Sequence, residues 1–250
     1  MILAIAAREL RGLFLSPLAW TLLAVTQALL AWIFIILVND FQNVQGRLAG
    51  LDHAPGVTDL VVAPLFRVTA WGLLLLAPLL TMRLFSEEQR TGTLDLLLSA
   101  PVSASQIVIG KYLGALAFLL SVVALAALMS LALVAGVALD VGKLLAGLLG
   151  LSLLAASCTA AGLYLSSLTA QPMVAATATF GLLLAFWIVD VAGAGHGTAS
   201  RLFGYLSLPR HNDALLLGLV RSEDVAYYLL FGAAFLGLTI RRIDNVRLRG

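Results

Sequence analysis

Six long apolar runs, at about 18–38, 61–82, 104–135, 144–165, 173–189 and 225–240, dominate this 250-residue chain. Hydrocarbon offers no water to satisfy backbone N–H and C=O groups, so a run of about 20 apolar residues crosses it as a helix. Composition agrees: 61% of residues are hydrophobic and 11% charged, against about half and about a quarter in a soluble domain. The expected fold is an all-α membrane protein, with 1–250 forming a single transmembrane domain. The connections are too short to hold a separate soluble domain. A net charge of +2 is too small to suggest a nucleic-acid partner.

The chain opens with Arg8 and Arg11 ahead of a run that ends at Asn39-Asp40 rather than at a small-residue cleavage site. That pattern reads as a retained first span, not a signal peptide. Within 2–15, Ile2, Ala6, Leu10, Leu13 and Phe14 share one helical face, while Ala4, Arg8 and Arg11 share the other. Such a helix suits the membrane interface, and Ser16-Pro17 breaks it. The alternative is a plain continuation of the first span. A polar loop is expected over 39–59, carrying Asp40, Arg47, Asp52, His53 and Asp59.

Arg67 stands inside the second run, about 24 Å along a helix from Arg83, which puts it near the far interface, where it can snorkel. A gate or partner contact is the alternative. Ser103 and Gln106 form a capping-box pattern before the third run. That run is about 48 Å long as a helix, so its first turns, including Lys111, are expected to project from the bilayer. A turn is expected at 136–143 and a second, uncharged one at 166–172. The fourth run is rich in Gly, Ala and Ser, which suits close packing of helices. Residues 193–224 are too polar to span yet carry Leu202, Phe203, Tyr205, Leu206 and Leu208; short interfacial or re-entrant helices are expected there.

Positive charges flank the inner ends of spans. An inner N-terminus puts Arg8, Arg11, Arg83, Arg90, Lys111, Arg241, Arg242, Arg247 and Arg249 inside. It leaves Arg47, Arg67, Lys143, Arg201, Arg210 and Arg221 outside. Both termini are therefore expected to be cytoplasmic.

Chemistry is hard to find in the chain. Gly110-Lys111 is the nearest approach to a phosphate loop, but Ser105 and Tyr112 stand where glycine and Ser or Thr are needed. The histidines (His53, His196 and His211) are far apart, and Cys158 is the one cysteine, so no metal-ligand set is expected. No paired carboxylates or Ser-His-Asp pattern lies in the spans. No catalytic, cofactor-binding or metal-ligating residue is expected, and the chain is not read as an enzyme. The charged inner segment is different: RLFSEEQRTGTLDLLLSAP at 83–101 is a charged half-helix, a flexible Gly92, an apolar-faced half-helix and a proline stop. It reads as a short amphipathic element on the cytoplasmic face, serving either as a solvated loop with membrane-contacting leucines or as a docking site.

RLFSEEQRTGTLDLLLSAPVSASQIVIGKYLGA at 83–115 resembles the hallmark of the integral membrane subunits of ABC-2 type transporters. ARELRGLFLSPLAW at 7–20 matches the family's amphipathic start. EDVAYYLLFGAAFLGLT at 223–239 is similar to the last span of the gliding-motility and copper-enzyme-maturation branch.

The resemblance implies a type V exporter-like, six-span permease of the bacterial inner membrane. It implies pairing with a second permease copy or paralogue, and two separate ABC ATPase subunits that bind ATP and Mg, with no cofactor in this chain. Membrane lipid and a periplasmic accessory protein are further expected partners. By carry-over, Arg8, Arg11, Glu87, Glu88, Arg90, Thr93, Ser167 and Gln171 are the ATPase-docking residues of the interface helix, the coupling helix and the 166–172 contact. Leu94 to Leu98 would hold the coupling element against the membrane, and outer re-entrant helices would cap the substrate path. The implied function is ATP-driven export, with substrate near spans one, two and five. The alternatives are a subunit that conveys ATPase-driven motion to a periplasmic partner without moving cargo, and a membrane enzyme or redox carrier. Neither an aromatic-lined carbohydrate channel nor a large outer domain, found in some relatives, is evident.

Overall fold

A computed structural model describes residues 1–48, 55–94, 102–137, 139–193 and 204–248. In chain order the helices are α1 (Ile2–Leu15), α2 (Pro17–Leu48), α3 (Ala63–Thr81), α4 (Arg83–Thr91), α5 (Ala104–Leu131), α6 (Val141–Leu168), α7 (Pro172–Gly193), α8 (Leu208–Leu216) and α9 (Ser222–Arg247). A π-turn, Thr58–Val62, leads into α3, and a 3-10 turn, Ala132–Ala135, follows α5. Six stretches are long and apolar enough to cross a membrane, and they coincide with the six runs in the sequence.

Local chemistry sets the boundaries. Ser16 is extended after α1, and proline opens α2, where its missing N–H leaves no bond unmade. The Ser103–Gln106 capping box is formed at the start of α5. Asp140 and Ser207 cap α6 and α8 by accepting from the N–H groups of Lys143 and Arg210.

The bundle is organised around α6, which packs on α3, α4, α5, α7, α8 and α9. Of its most apolar window, 67% is buried within the chain, against 6% for α2. Glycines make α6 central. A Cβ on Gly147 would lie 2.7 Å from the Phe66 ring, and one on Gly150 would lie 3.0 Å from Leu215. Thr81 packs straight onto Gly162. With lipid as solvent, close van der Waals packing of this kind is the main force between helices.

The structure departs from the expected boundaries in several places. Helix α2 does not end at Asn39-Asp40 but continues to Leu48. Apolarity marks where lipid ends, whereas the backbone ladder continues until something breaks it, so much of the expected loop is helix. Only Met82 separates α3 from α4, and its φ of −53° and ψ of −32° are helical. The charged segment therefore prolongs the second span instead of forming a detached surface element. Helix α6 begins at Val141 and ends at Leu168, which leaves Thr169–Gln171 as the second turn. Arg67 is not a lone arginine: it pairs with Asp213 at 3.1 Å, on the α3 face that also carries Trp71, whose ring is tilted against Trp187 at 4.6 Å. Asp52, His53, His196, Arg201, Leu202, Phe203, Arg249 and the apolar half-helix after Leu94 lie outside the described residues.

The two ends of the bundle are distinct. At the basal end, α4 meets the C-terminal turns of α6, α1 lies on the first turns of α5, and Arg247 of α9 donates to the Val102 carbonyl at 3.0 Å. The first helix and the last described turns of α9 are thus at this end. At the distal end, α8 packs on the N-terminal half of α6.

A Gly147→Val substitution drives a side chain into Phe66 and should lower stability by about 1–3 kcal/mol, read as the thermal unfolding midpoint of the purified protein. Gly237→Ala, where a Cβ meets nothing within 4 Å, should leave the midpoint in place. Equal midpoints for both variants would contradict the glycine-packed α6.

Candidate functional site

Gly110 and Gly114 stand one turn apart on α5 and give α1 its seat. A Cβ at Gly110 would meet Ile5 at 2.7 Å, and one at Gly114 would meet the Glu9 Cβ at 2.8 Å and the Ala6 carbonyl at 2.9 Å. The two backbones approach because neither glycine has a side chain. The apolar face of α1 (Ile2, Ala6, Leu10, Leu13 and Phe14) is therefore directed at protein, with the Phe14 and Phe118 rings 5.2 Å apart. The face packs on α5 without any residue of α1 being fully buried. Arg8 and Arg11 are exposed, as the helical pattern predicted.

Between the two glycines sits Lys111. It is enclosed by protein rather than open to solvent: 1% of it is exposed. Its ammonium donates to Glu9 Oε1 of α1 at 2.7 Å and to Glu88 Oε1 of α4 at 2.8 Å, and it lies 5.3 Å from the centre of the Phe85 ring. One cation thus ties three helices. Glu88 Oε2 is buried without a hydrogen-bond partner among the described residues, so the group is tightly enclosed. An unpaired charge in such a place costs several kcal/mol, and the two carboxylates repel each other unless the ammonium stands between them.

Helix α4 is fastened from its other side by α6. Ser166 Oγ accepts from the N–H groups of Phe85 at 3.1 Å and Ser86 at 3.2 Å, and donates to the Met82 carbonyl at 3.0 Å. A serine from another helix thereby caps the junction of α3 and α4. Gln89 Nε2 donates to the Ser167 carbonyl at 2.9 Å. Gly92 closes α4 in the left-handed region, at φ 70°. The Thr93 N–H reaches the Glu88 carbonyl and the Gly92 N–H the Gln89 carbonyl, a Schellman arrangement that glycine adopts without strain.

The residues proposed for docking therefore divide. Arg8, Arg11, Arg90, Thr93 and Gln171 are exposed, and Glu87 is partly so, paired with Arg90 at 2.7 Å. Glu88 and Ser167 face inward: Glu88 is held by Lys111, and Ser167 is buried with its hydroxyl on the Tyr164 carbonyl. Met82, Arg83, Glu87, Arg90, Pro172 and Met173 line a surface groove of about 510 Å³ beside α4.

Sequence reasoning missed Glu9. Its signal was a lone acid on the apolar face of an amphipathic helix, to be set against a lone lysine opening an apolar run. Each is costly alone, and together they account for each other.

Lys111→Met should destabilise the protein by about 3–5 kcal/mol, because it leaves two carboxylates without their cation. Adding Glu9→Gln and Glu88→Gln to that variant should recover much of the loss. A triple variant no more stable than Lys111→Met would contradict the ion tie.

A family model described as ABC-2 family transporter protein matches residues 3–205, which takes in α1 through α7 and the Glu9, Glu88 and Lys111 tie. No curated protein matches the chain. The chain thus belongs to the ABC-2 transporter family, as the membrane permease subunit of an ABC transporter, the kind of subunit that works with ABC ATPase partners.

Proposed function

We propose that this permease converts ATP hydrolysis by two separate ATPase subunits into export across the bacterial inner membrane, with both termini cytoplasmic and with a second copy or paralogue as its partner in the membrane. Nucleotide and Mg belong to the ATPases, and this chain holds no cofactor. The observation that carries the reading is the Lys111 tie. An element pushed at α4 cannot move without taking α1 through Glu9, α5 through Lys111 and α6 through Ser166. Because α3 is separated from α4 by Met82 alone, the second span moves too. A push on a small exposed surface thereby becomes rigid-body motion of several helices, the form in which packed bundles switch between two states.

On this reading Arg8, Arg11, Glu87, Arg90, Thr93 and Gln171 meet the ATPase, while Glu88 and Ser167 hold the lever in place. A second reading, in which the chain conveys motion to a periplasmic partner without moving cargo, draws support from α2. That helix runs past the apolar region to Leu48 and presents Asp40, Gln42, Asn43 and Gln45 as a polar stub, on the outer side if the termini are cytoplasmic.

Reversing the exposed pair as Glu87→Arg with Arg90→Glu keeps the two residues attractive to each other and inverts what they offer a partner. Pull-down of the cognate ATPase should weaken by about tenfold or more, the effect expected of mismatched interface charges, without loss of folding. Undiminished capture would remove α4 from the docking surface. In a Cys158→Ser background, Gln45→Cys should react with an impermeant maleimide added outside whole cells, and Asn245→Cys only after lysis. The opposite pattern would invert the topology.

A further inference from the structure

At the distal end, His211 of α8 and Asp224 in the first turn of α9 are 6% and 4% exposed. The imidazole Nδ1 lies 2.5 Å from Asp224 Oδ1, and Nε2 lies 2.9 Å from the Tyr205 carbonyl. The ring is stacked on Tyr227 at 4.2 Å with an interplanar angle of 20°. Beside it the Tyr227 hydroxyl donates to the Leu206 carbonyl, and the Tyr228 hydroxyl to the Leu208 carbonyl. The stretch from Tyr205 into α8 is thus laced to α9 by this cluster.

The proton count is what matters. A backbone carbonyl only accepts, so Nε2 must carry a hydrogen to reach Tyr205. A contact of 2.5 Å between Nδ1 and a carboxylate oxygen then requires a second proton on that axis, whether it resides on the ring or on the carboxyl. The pair holds one proton more than a neutral imidazole and an ionised carboxylate together. Take that proton away and one contact becomes lone pair against lone pair: either Nδ1 faces Asp224, or Nε2 faces the carbonyl. Asp224 Oδ2 is already buried with no hydrogen-bond partner among the described residues, so the carboxylate has no second contact to fall back on.

Three of the neighbouring charge pairs are engaged elsewhere. Asp213 of α8 is paired with Arg67 of α3, Arg221 with Glu223, and Lys143 of α6 with Asp59. Arg210 packs on Gly204. Arg210, Asp213, Arg221 and Glu223 line, with the pair, an open cavity of about 480 Å³ that gives solvent protons a way in. The remaining ionisable groups of the cluster are Tyr205, Tyr227 and Tyr228. On α6, Cys158 follows the Ser157 that bonds the Tyr228 carbonyl.

We propose that His211 and Asp224 form a proton-binding site that fastens the α8 segment to α9 and releases it when the proton leaves. Histidine changes charge between about pH 5 and pH 8. The fastening is present at low pH and is lost as pH rises through the titration of the pair. The distal cap of this permease thereby responds to the acidity of the compartment it faces, by a device separate from the basal lever.

Hydrogen exchange of the full chain in lipid nanodiscs, from pH 5.5 to 8.5 and corrected for intrinsic rates, tests this. Protection of the 204–216 amides should fall by about tenfold or more as pH rises, the loss expected from one broken buried contact, while α5 stays constant. In Asp224→Asn the side-chain amide donates to Nδ1 and the ring keeps its Nε2 hydrogen for Tyr205, so protection should stay high at every pH. His211→Gln should give low protection at every pH. An unchanging wild-type profile, an equal pH response in Asp224→Asn, or a retained one in His211→Gln would each overturn the proposal. Protection of α5 reports whether any variant has failed to fold.

Discussion

An ammonium group placed out of water must be met by negative charge, and the structure meets Lys111 from two other helices at once. That requirement governs the basal end. It sets the rotation of α1, because Glu9 must face α5. It sets the rotation of α4, because Glu88 must face the same point. It also turns Glu87 and Arg90 outward, since they flank Glu88 on a helix of 3.6 residues per turn. The outward setting of Glu87 and Arg90 is thus a consequence of the charge buried beneath them.

The glycines around the tie matter as much as the ions. Without Gly110 and Gly114, α1 could not come close enough for Glu9 to reach Lys111. Helix α6 repeats the device along its length, with Gly147 and Gly150 admitting Phe66 and Leu215 at the distal end and Gly162 admitting Thr81 at the basal end. One helix therefore contacts both the lever and the cap. The two ends differ in chemistry: the basal tie joins one lysine to two carboxylates, whereas the distal cluster joins one histidine to one carboxylate.

Much of this was legible in the sequence. The six spans, a separate helix before Pro17, the capping box at Ser103, the charged half-helix ahead of Gly92, and the family resemblance all follow from local pattern, and the structure and the family match bear them out. The ends of α2 and α6 were misjudged because hydropathy reports the solvent, not the hydrogen-bond ladder. The enclosure of Lys111 was not legible because its partners, Glu9 and Glu88, are distant in sequence. The pairing of Glu88 with Lys111 was hidden for the same reason. His211 looked idle because spacing along the chain says nothing about Asp224 folding back onto it.

By itself the sequence determined the solvent and the number of crossings, because each run of apolar residues must satisfy its own backbone wherever the neighbours lie. It also marked the helix boundaries that carry a cap, a glycine or a proline, since these act within a few residues. The tertiary structure alone decided which polar groups are buried together. Ion pairs and hydrogen bonds across helices act over about 3 Å in space but join residues such as Glu9 and Lys111, or Phe85 and Ser166, that are far apart along the chain. Nothing local distinguishes a lysine that will be enclosed from one that will meet water.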